Sequence, residues 1–478
     1  MLLPVLGDGL SRYLEQGFCS FHTPGHKGKQ EFFCGLEFPA ADLTELPGLD
    51  MLHAPAGIIA EAQAKAARIF GAEESFFLVN GATAGNQALF MAISDNKPVL
   101  ISRSAHRSVF SGLILSGHKV KYLRPVIHPD FNLPLGLEVN EIGGALANTA
   151  ACHLTYPTYY GSCCDLGAVL EVRNRENYAI PMLVDQAHGA HYLGALFPPS
   201  ALTLGADAVV HSTHKTLSAL TQGAMLHVQG SLLARQRLRQ ALELLQSSSP
   251  SYLLLASLER GAESALAQRR WEELRAEVEA IHLSLSGSLR LLSVKDEQKF
   301  GIAHVDWSKI LVNTRPLGVV APVCVEFLRQ RFGIEPELWD NENILFLLGI
   351  GSTAADVRLL RRGLESLLKL EFEHEARLKA GAKFTEHTRL LPLLPPVPPQ
   401  RLTPRQAFLA PKRLVPLSES LGHIAGETIS PYPPGIPVVV MGEEVTGEVL
   451  EILRAKGEER WQGWERAGEE RIWVVEDE

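Results

Sequence analysis

Ser212-Thr213-His214-Lys215-Thr216 and, upstream, Val184-Asp185-Gln186-Ala187-His188-Gly189-Ala190-His191 are the two stretches from which the chain is read. Each sits at the end of a short apolar run. Ala206-Asp207-Ala208-Val209-Val210 precedes the first, and Ile180-Pro181-Met182-Leu183-Val184 leads into the second. Runs of this length fit central strands of a parallel sheet covered on both faces. A lysine and an aspartate at the carboxyl ends of such strands lie at the crevice where open α/β sheets bind ligands. A lysine able to form a Schiff base and an aspartate able to pair with a pyridinium nitrogen are what pyridoxal phosphate (PLP) asks of a protein. A surface lysine on a turn and an aspartate capping a helix fit the same spacing.

The bounds set by composition fit a globular chain of several domains. At 478 residues the chain exceeds what one hydrophobic core serves, so two or three domains are expected. With 46% hydrophobic residues it can bury a large core and is not a disordered chain. The formal net charge of −9, with no dense basic run, argues against nucleic acid or an anionic membrane as partner. The scattered cysteines, among them the adjacent Cys163 and Cys164, do not have zinc-ligand spacing. They read as reduced, packed thiols of a cytoplasmic protein, and no metal site is expected. No signal-peptide pattern opens the chain, and no apolar run is long enough to span a bilayer.

Along the chain, a helical pattern over Leu6 to Gln16 precedes Phe21-His22-Thr23-Pro24-Gly25-His26-Lys27-Gly28, where Pro-Gly forces a turn. That turn fits either a loop reaching a ligand or an ordinary polar turn. Residues 39–57 are irregular. Ile58 to Phe70 is an amphipathic helix stopped by Gly71. Ser75 to Val79 reads as a strand, followed by Asn80-Gly81-Ala82-Thr83-Ala84-Gly85-Asn86 opening a helix. Its N-terminal N–H groups and the Thr83 hydroxyl suit an anion, although glycine also serves tight turns for steric reasons alone. Pro98 to Ile101 is a strand and Arg103 onward opens a helix. His106 between them fits stacking on a planar ring or a purely structural role. Residues 151–158, Gln222 to Gln229, Ile310 to Val312 and Ile344 to Leu348 read as strands. Asp165 to Asn174, Leu232 to Leu245, Leu253 to Ile281, Ala321 to Phe332 and Ala354 to Leu368 read as helices. From about residue 300 the alternation predicts a second, smaller α/β domain. Residues 390–416 are Pro-rich and predict a linker or extended cover. The charged stretch 454–470 is expected to be exposed, and Ile472 to Val475 forms a short closing strand.

Six of these stretches carry a family likeness. They are His22-Thr23-Pro24-Gly25-His26-Lys27, Phe70-Gly71-Ala72, Asn80-Gly81-Ala82-Thr83, Asp185-Gln186-Ala187-His188-Gly189-Ala190-His191, Ser212-Thr213-His214-Lys215-Thr216 and Pro431-Tyr432-Pro433-Pro434-Gly435-Ile436-Pro437. In this order they resemble the Orn/Lys/Arg decarboxylase family, the basic amino acid decarboxylases of PLP fold type I. The resemblance implies an α/β fold with an aspartate aminotransferase-like large domain built on a mostly parallel sheet. It implies four parts: an arm over 1–50, the PLP-binding domain over 51–295, a small α/β domain over 296–385 and a C-terminal α+β domain over 386–478. Two local features depart from the family. Gln186 stands where a glutamate is usual, and Ala82-Thr83-Ala84 carries fewer hydroxyls than the usual phosphate turn. The receiver-like N-terminal domain of long members is not expected, nor are their ring assemblies.

The resemblance also implies roles. Lys215 is the covalent anchor of PLP and a proton shuttle, and Asp185 holds the ring nitrogen protonated. Ala187 lies under the ring and His106 stacks on its other face. Ala82, Thr83, Ala84, Ser212 and His214 hold the phosphate, and His188 stands beside the ring near the substrate. Glu427 meets the substrate's basic end, with Asp42, Glu45 and Asp50 as weaker candidates at the mouth. The implied reaction converts lysine, ornithine or arginine to the amine and CO2. Transamination, aldol-type cleavage and a non-catalytic PLP-fold binder are the alternatives. A homodimer or a dimer of dimers is implied, with the N-terminal segment lying across a neighbouring subunit and bringing His22 or His26 to that subunit's site.

Overall fold

The computed structural model describes residues 15–22, 25–27, 29, 43, 45–46, 49–139, 142–369, 394–431, 435–455, 461–462 and 470–476. The expected helix over Leu6 to Gln16, apart from its last two residues, lies outside them. So do Thr23, Pro24, Asp42, the Tyr432-Pro433-Pro434 centre of the proline motif, the start of the 390–416 stretch and most of 456–469.

The core is a seven-stranded sheet. In chain order its strands are β1 (Glu74–Leu78), β2 (Val99–Ser102), β3 (Val120–Leu123), β4 (Ala151–Thr155), β5 (Met182–Asp185), β6 (Ala208–His211) and β7 (Ala224–Val228). They lie side by side in the order β1-β7-β6-β5-β4-β2-β3. Strands β6, β5, β4, β2 and β3 pair in parallel, and β7 runs antiparallel to both neighbours. The apolar runs read from the sequence are thus central strands, buried on both faces. Alternate residues feed two separate cores. Leu183 and Val210 belong to one, and Val184 and Val209 to the other. The layers are helices, among them α1 (Ile58–Phe70), α2 (Gly81–Ala92), α3 (Arg107–Ser116), α4 (Leu166–Arg175), α5 (Tyr252–Ser264) and α6 (Gln268–Leu285). Helix α1 has its expected bounds, and Gly71 closes it in the left-handed region at φ 75°.

Beyond α6 lies a four-stranded sheet of β8 (Arg290–Leu291), β9 (Lys309–Asn313), β10 (Leu338–Trp339) and β11 (Asn343–Leu347), in the order β8-β9-β11-β10. Helices α7 (Ala321–Phe332) and α8 (Ala354–Ser366) pack on it. Every pairing in this sheet is antiparallel. The alternation of strand and helix in sequence thus gives a small α/β part whose helices cover an antiparallel sheet.

The Pro-rich stretch is also more structured than a linker. It holds α9 (Pro404–Leu409), opened by a capping box in which Thr403 and Gln406 bond each other's backbone N–H, and β12 (Lys412–Pro416). The closing strand, β13 (Arg471–Val475), pairs antiparallel with β12, as expected of a final strand. Among the described residues no helix is long and apolar enough to cross a membrane.

The described part of the N-terminal segment packs on its own chain. Cys19–Phe21 adds a parallel strand to Ile334–Pro336. Gly25 N donates to His214 O at 2.6 Å, and Gly351 N donates to Gly25 O at 2.9 Å. A side chain at Gly25 would put its Cβ 2.5 Å from the Thr216 carbonyl carbon, so only glycine lets the segment lie against the Lys215 turn. Lys27 bonds the carbonyls of His22 and, at 3.0 Å, Leu347, and burial lowers its pKa to about 8.

Candidate active site

The carboxyl ends of the parallel strands meet at a cavity of about 370 Å³, within the 300–1,000 Å³ typical of ligand pockets. Asp185 is the last residue of β5. Lys215 stands on the single helical turn Thr213–Thr216 just past β6, and the register pairs Val210 of β6 with Asp185. Gly81, Ala82 and Thr83 open α2 after β1, His106 follows β2, and Thr155 ends β4. All of these line the cavity, with Ala187, His188, Ser212 and His214. Two expected residues do not. Ala84 is buried and does not line the cavity, which the turn meets at Gly81, Ala82, Thr83 and Asn86. Glu427 is half-buried on the C-terminal part, between Gly426, whose N donates to Trp473 O, and Thr428, whose hydroxyl accepts from Met441 N.

Asp50 and Glu45, two of the acidic candidates at the mouth, have structural duties. Asp50 accepts from the backbone N–H groups of Met51, Ala56, Gly57, Ile59 and Ala60 around the start of α1. Burial opposes its ionisation, but these donors outweigh it and hold its pKa at about 2. Glu45 accepts from Leu52 N at 2.9 Å. Neither lines the cavity.

Lys215 Nζ lies 2.8 Å from His188 Nε2. Burial lowers the lysine pKa, with Lys309 adding to the effect and Asp185 and Glu337 opposing it. Burial also pushes His188 well below its ordinary value, and Lys215 and Lys309 push the same way. His188 is therefore a neutral imidazole that accepts from Lys215 at Nε2 and carries its proton on Nδ1. That Nδ1 is buried and has no protein partner, and the same holds for Thr155 Oγ1. Two unsatisfied polar atoms on lining residues mark a place that a polar ligand completes.

Asp185 is oriented by groups the sequence reading did not single out. Asn86 Nδ2 donates to Asp185 Oδ2 at 2.9 Å and to Ser108 Oγ at 3.0 Å, and Ala187 N donates to Asp185 Oδ1 at 3.0 Å. Ser108 Oγ is 2.9 Å from His106 Nδ1, which also accepts from Ser108 N. Because Ser108 accepts from Asn86, its own hydroxyl proton goes to His106 Nδ1, which leaves the His106 proton on Nε2. Burial, with a smaller push from Lys215, holds His106 at about 4. A signal for Asn86 was present, since it is the one polar residue on the otherwise apolar buried face of α2.

The departure at Gln186 also has a physical account. Its amide N donates to Gly189 O at 2.8 Å and lies 3.2 Å from His211 Nε2, while its Oε1 accepts from Ala201 N. An amide supplies both the donor and the acceptor these buried groups need. A carboxylate would set oxygen against the Gly189 carbonyl.

The proline motif serves the site through its described ends. Ile436 lines the cavity, Gly435 O accepts from Arg107 N, and Pro437 O accepts from Arg103 at 2.7 Å. Arg103 also forms a fully buried pair with Glu443 at 2.9 Å. The C-terminal part is thereby clamped to the loop that carries His106.

The donor set fits PLP. A half-buried lysine, a buried carboxylate, a histidine with its ring proton on Nε2 and a helix N-terminus with hydroxyls share one cavity of suitable size. Among the described residues no cluster of metal-ligating side chains occurs.

Comparisons with known proteins agree with this reading. The family model of the Orn/Lys/Arg decarboxylase major domain matches residues 4–286, and that of the C-terminal domain matches 395–463. The chain is 34% identical to the uncharacterized protein YaaO of Bacillus subtilis, covering 94% of this chain and 93% of that one. It is 32% identical to an arginine decarboxylase of Bacillus anthracis, over 91% of this chain and 89% of the relative. Among solved structures it is similar to the Francisella novicida lysine decarboxylase LdcF, with a TM-score of 0.78 at 19% identity over 98% of this chain and 83% of that one. It is also similar to the ureidoglycine-glyoxylate aminotransferase of Bacillus subtilis, with a TM-score of 0.52 at 16% identity over 68% and 87%. These structural likenesses show the fold, that of PLP fold type I enzymes.

Proposed function

We infer the reaction from one fact: the chain belongs to the Orn/Lys/Arg decarboxylase family. It is a PLP-dependent decarboxylase of a basic amino acid. We propose L-arginine as the preferred substrate, supported by the arginine decarboxylases among its relatives at 30–32% identity, against 25% for a lysine decarboxylase. The observation that carries the site assignment is the pairing of Lys215 with His188 at 2.8 Å in the cavity that Asp185 also lines.

When bound, PLP supplies the electron sink that takes up the pair left by the departing carboxylate. Lys215 is the proposed covalent anchor, and burial lowers its pKa in the sense that favours the free, nucleophilic amine. Asp185, fixed by Asn86, is proposed to keep the pyridine nitrogen protonated. Ala187 and His106 are proposed to flank the ring. The N–H groups of Gly81 to Thr83, with Ser212 and His214, are proposed to take the phosphate. His188 Nε2 holds Lys215 Nζ in place, and Lys215 Nζ is the group positioned to hold the proton that replaces the lost carboxylate. Glu427 stays the proposed partner of the substrate's basic end on the family resemblance. The division at 50, 295 and 385 and a dimer in solution belong to the same proposal.

The deciding experiment incubates the PLP-loaded protein with arginine, lysine and ornithine and measures CO2 and amine. Equal yields of both, greatest from arginine, are expected. A keto acid without CO2 would assign a transaminase instead. Glu427→Gln is expected to lower the ratio of kcat/KM for arginine to that for norleucine, and an unmoved ratio removes Glu427 from the substrate's path.

A further inference from the structure

His188 is gripped from two sides by the part of the chain that carries the four-stranded sheet. On one side Lys309, the first residue of β9, donates from Nζ to the His188 carbonyl at 2.8 Å. Lys309 is itself fully buried and paired with Asp306 at 2.6 Å. On the other side the ring of Tyr159 packs on the His188 ring, with centroids 4.4 Å apart and planes at 54°. The Tyr159 hydroxyl donates to Glu337 Oε1 at 2.7 Å. Glu337 directly precedes β10, and its backbone N donates to Leu345 O of β11 at 2.9 Å. Lys215 Nζ lies beside this ring pair, 2.8 Å from His188 Nε2 and 5.7 Å from the Tyr159 ring centre. Tyr159 and His188 line the cavity, whereas Glu337 and Lys309 stand behind them.

We propose that Glu337 is a positioning residue for the Lys215–His188 pair. The hydrogen bond it takes from Tyr159 fixes the ring that backs both side chains, while Lys309 fixes the His188 backbone. This rests on the reading of the cavity as the PLP site.

The physical case has two parts. A phenol donating to a carboxylate makes a short, charge-assisted bond, stronger and more directional than a neutral one. Tyr159 without it keeps its ring but loses the bond that sets its orientation. The packing on His188 then loosens, and with it the 2.8 Å contact to Lys215. The second part is charge. Glu337 faces Lys215, Lys27 and His214, and it raises the pKa of each against the lowering effect of burial. Asp185 acts on Lys215 in the same sense, and Lys309 in the opposite one. The hydrogen bond and the charge are separable by substitution. Glu337→Gln keeps an acceptor oxygen and removes the charge, Tyr159→Phe keeps the charge and removes the bond, and Glu337→Ala removes both.

The test uses the three variants and the double variant Tyr159→Phe/Glu337→Ala as PLP-loaded proteins. The readouts are kcat and KM taken separately, and the pH midpoint of the cofactor's visible absorption band. Tyr159→Phe and Glu337→Ala are expected to lower kcat by about tenfold with KM nearly unchanged, in line with one lost charge-assisted bond. The double variant is expected to be no worse than either single one, and Glu337→Gln to recover most of kcat. The band midpoint is expected to fall in both Glu337 variants and not in Tyr159→Phe. Wild-type kcat in Glu337→Ala overturns the proposal. So does full activity in Tyr159→Phe, additive losses in the double variant, or a Glu337→Gln as impaired as Glu337→Ala. A wild type with the absorption band but no CO2 from any basic amino acid defeats the reaction assignment alone. The band midpoints then still decide whether Glu337 acts on the Lys215 site.

Discussion

Asn86 Nδ2 donates to Asp185 Oδ2 over 2.9 Å, and its other amide proton goes to Ser108, which holds His106. One buried amide thus orients both the carboxylate proposed for the ring nitrogen and the histidine proposed to flank the ring. Asn86→Leu keeps the volume and removes both donors. A hydrogen bond to a charged group is worth about 1.5–3 kcal/mol, so kcat/KM is expected to fall about ten- to a hundredfold with the fold intact. Steady-state kinetics together with a PLP titration checks this, and an unchanged kcat/KM would show that Asp185 needs no such partner.

Lys215→Ala is expected to lose the visible absorption band of covalently held cofactor and to cut turnover by about a thousandfold or more, the scale of a positioned proton-transfer group. Lys309 is a second lysine near His188, but Asp306 and the His188 carbonyl already occupy its ammonium. It is not expected to substitute. Retention of the band in Lys215→Ala, traced to Lys309 by borohydride trapping and peptide mapping, would reassign the anchor.

The Arg103–Glu443 pair joins the His106 loop to the C-terminal part in full burial. Arg103 also donates to Pro437 O and, at 3.1 Å, to Val438 O. Arg103→Met leaves the Glu443 carboxylate buried without its cation, which costs about 3–5 kcal/mol. The denaturation midpoint is expected to fall accordingly, and kcat to fall with it because Arg107 N and Ile436 belong to the same junction. If the midpoint stays put, the junction does not support the fold.

Acid should destabilise the protein in a defined window. Burial holds His153 at about 4 and His227 at about 3, against an ordinary value of 6.5. These groups are neutral in the folded chain and take up protons on unfolding below 6.5. Their contribution to stability is therefore complete above pH 6.5 and is lost as pH falls toward 4 and 3. Each lowered histidine adds about 1.4 kcal/mol per pH unit within its window. Urea midpoints from pH 8 to 4 are expected to drop through that range, and His227→Gln is expected to flatten the slope. A midpoint independent of pH down to 4 would contradict neutral burial.

The features legible in the sequence were those that depend on near neighbours in the chain. Burial on both faces requires continuous apolar runs, so β5 and β6 announced themselves, and Asp185 and Lys215 at their ends followed. Helix periodicity with a closing glycine placed Ile58–Phe70 and Ala321–Phe332 to the residue. The family motifs carried the cofactor and the reaction class. The tertiary structure decided what depends on distant partners. It turned β7 and the smaller sheet antiparallel, because a strand's direction is set by which neighbour it pairs with, not by its own composition. It laid Gly25 on the Thr216 backbone, nearly two hundred residues away, where only a residue without a Cβ fits. It spent Asp50 and Glu45 on backbone N–H groups, since a half-buried carboxylate goes to the donors that satisfy it. Above all it brought Asn86 to Asp185 and Glu337 to Tyr159. These pairs are 99 and 178 residues apart, and only the packing of separate layers around one crevice makes them neighbours.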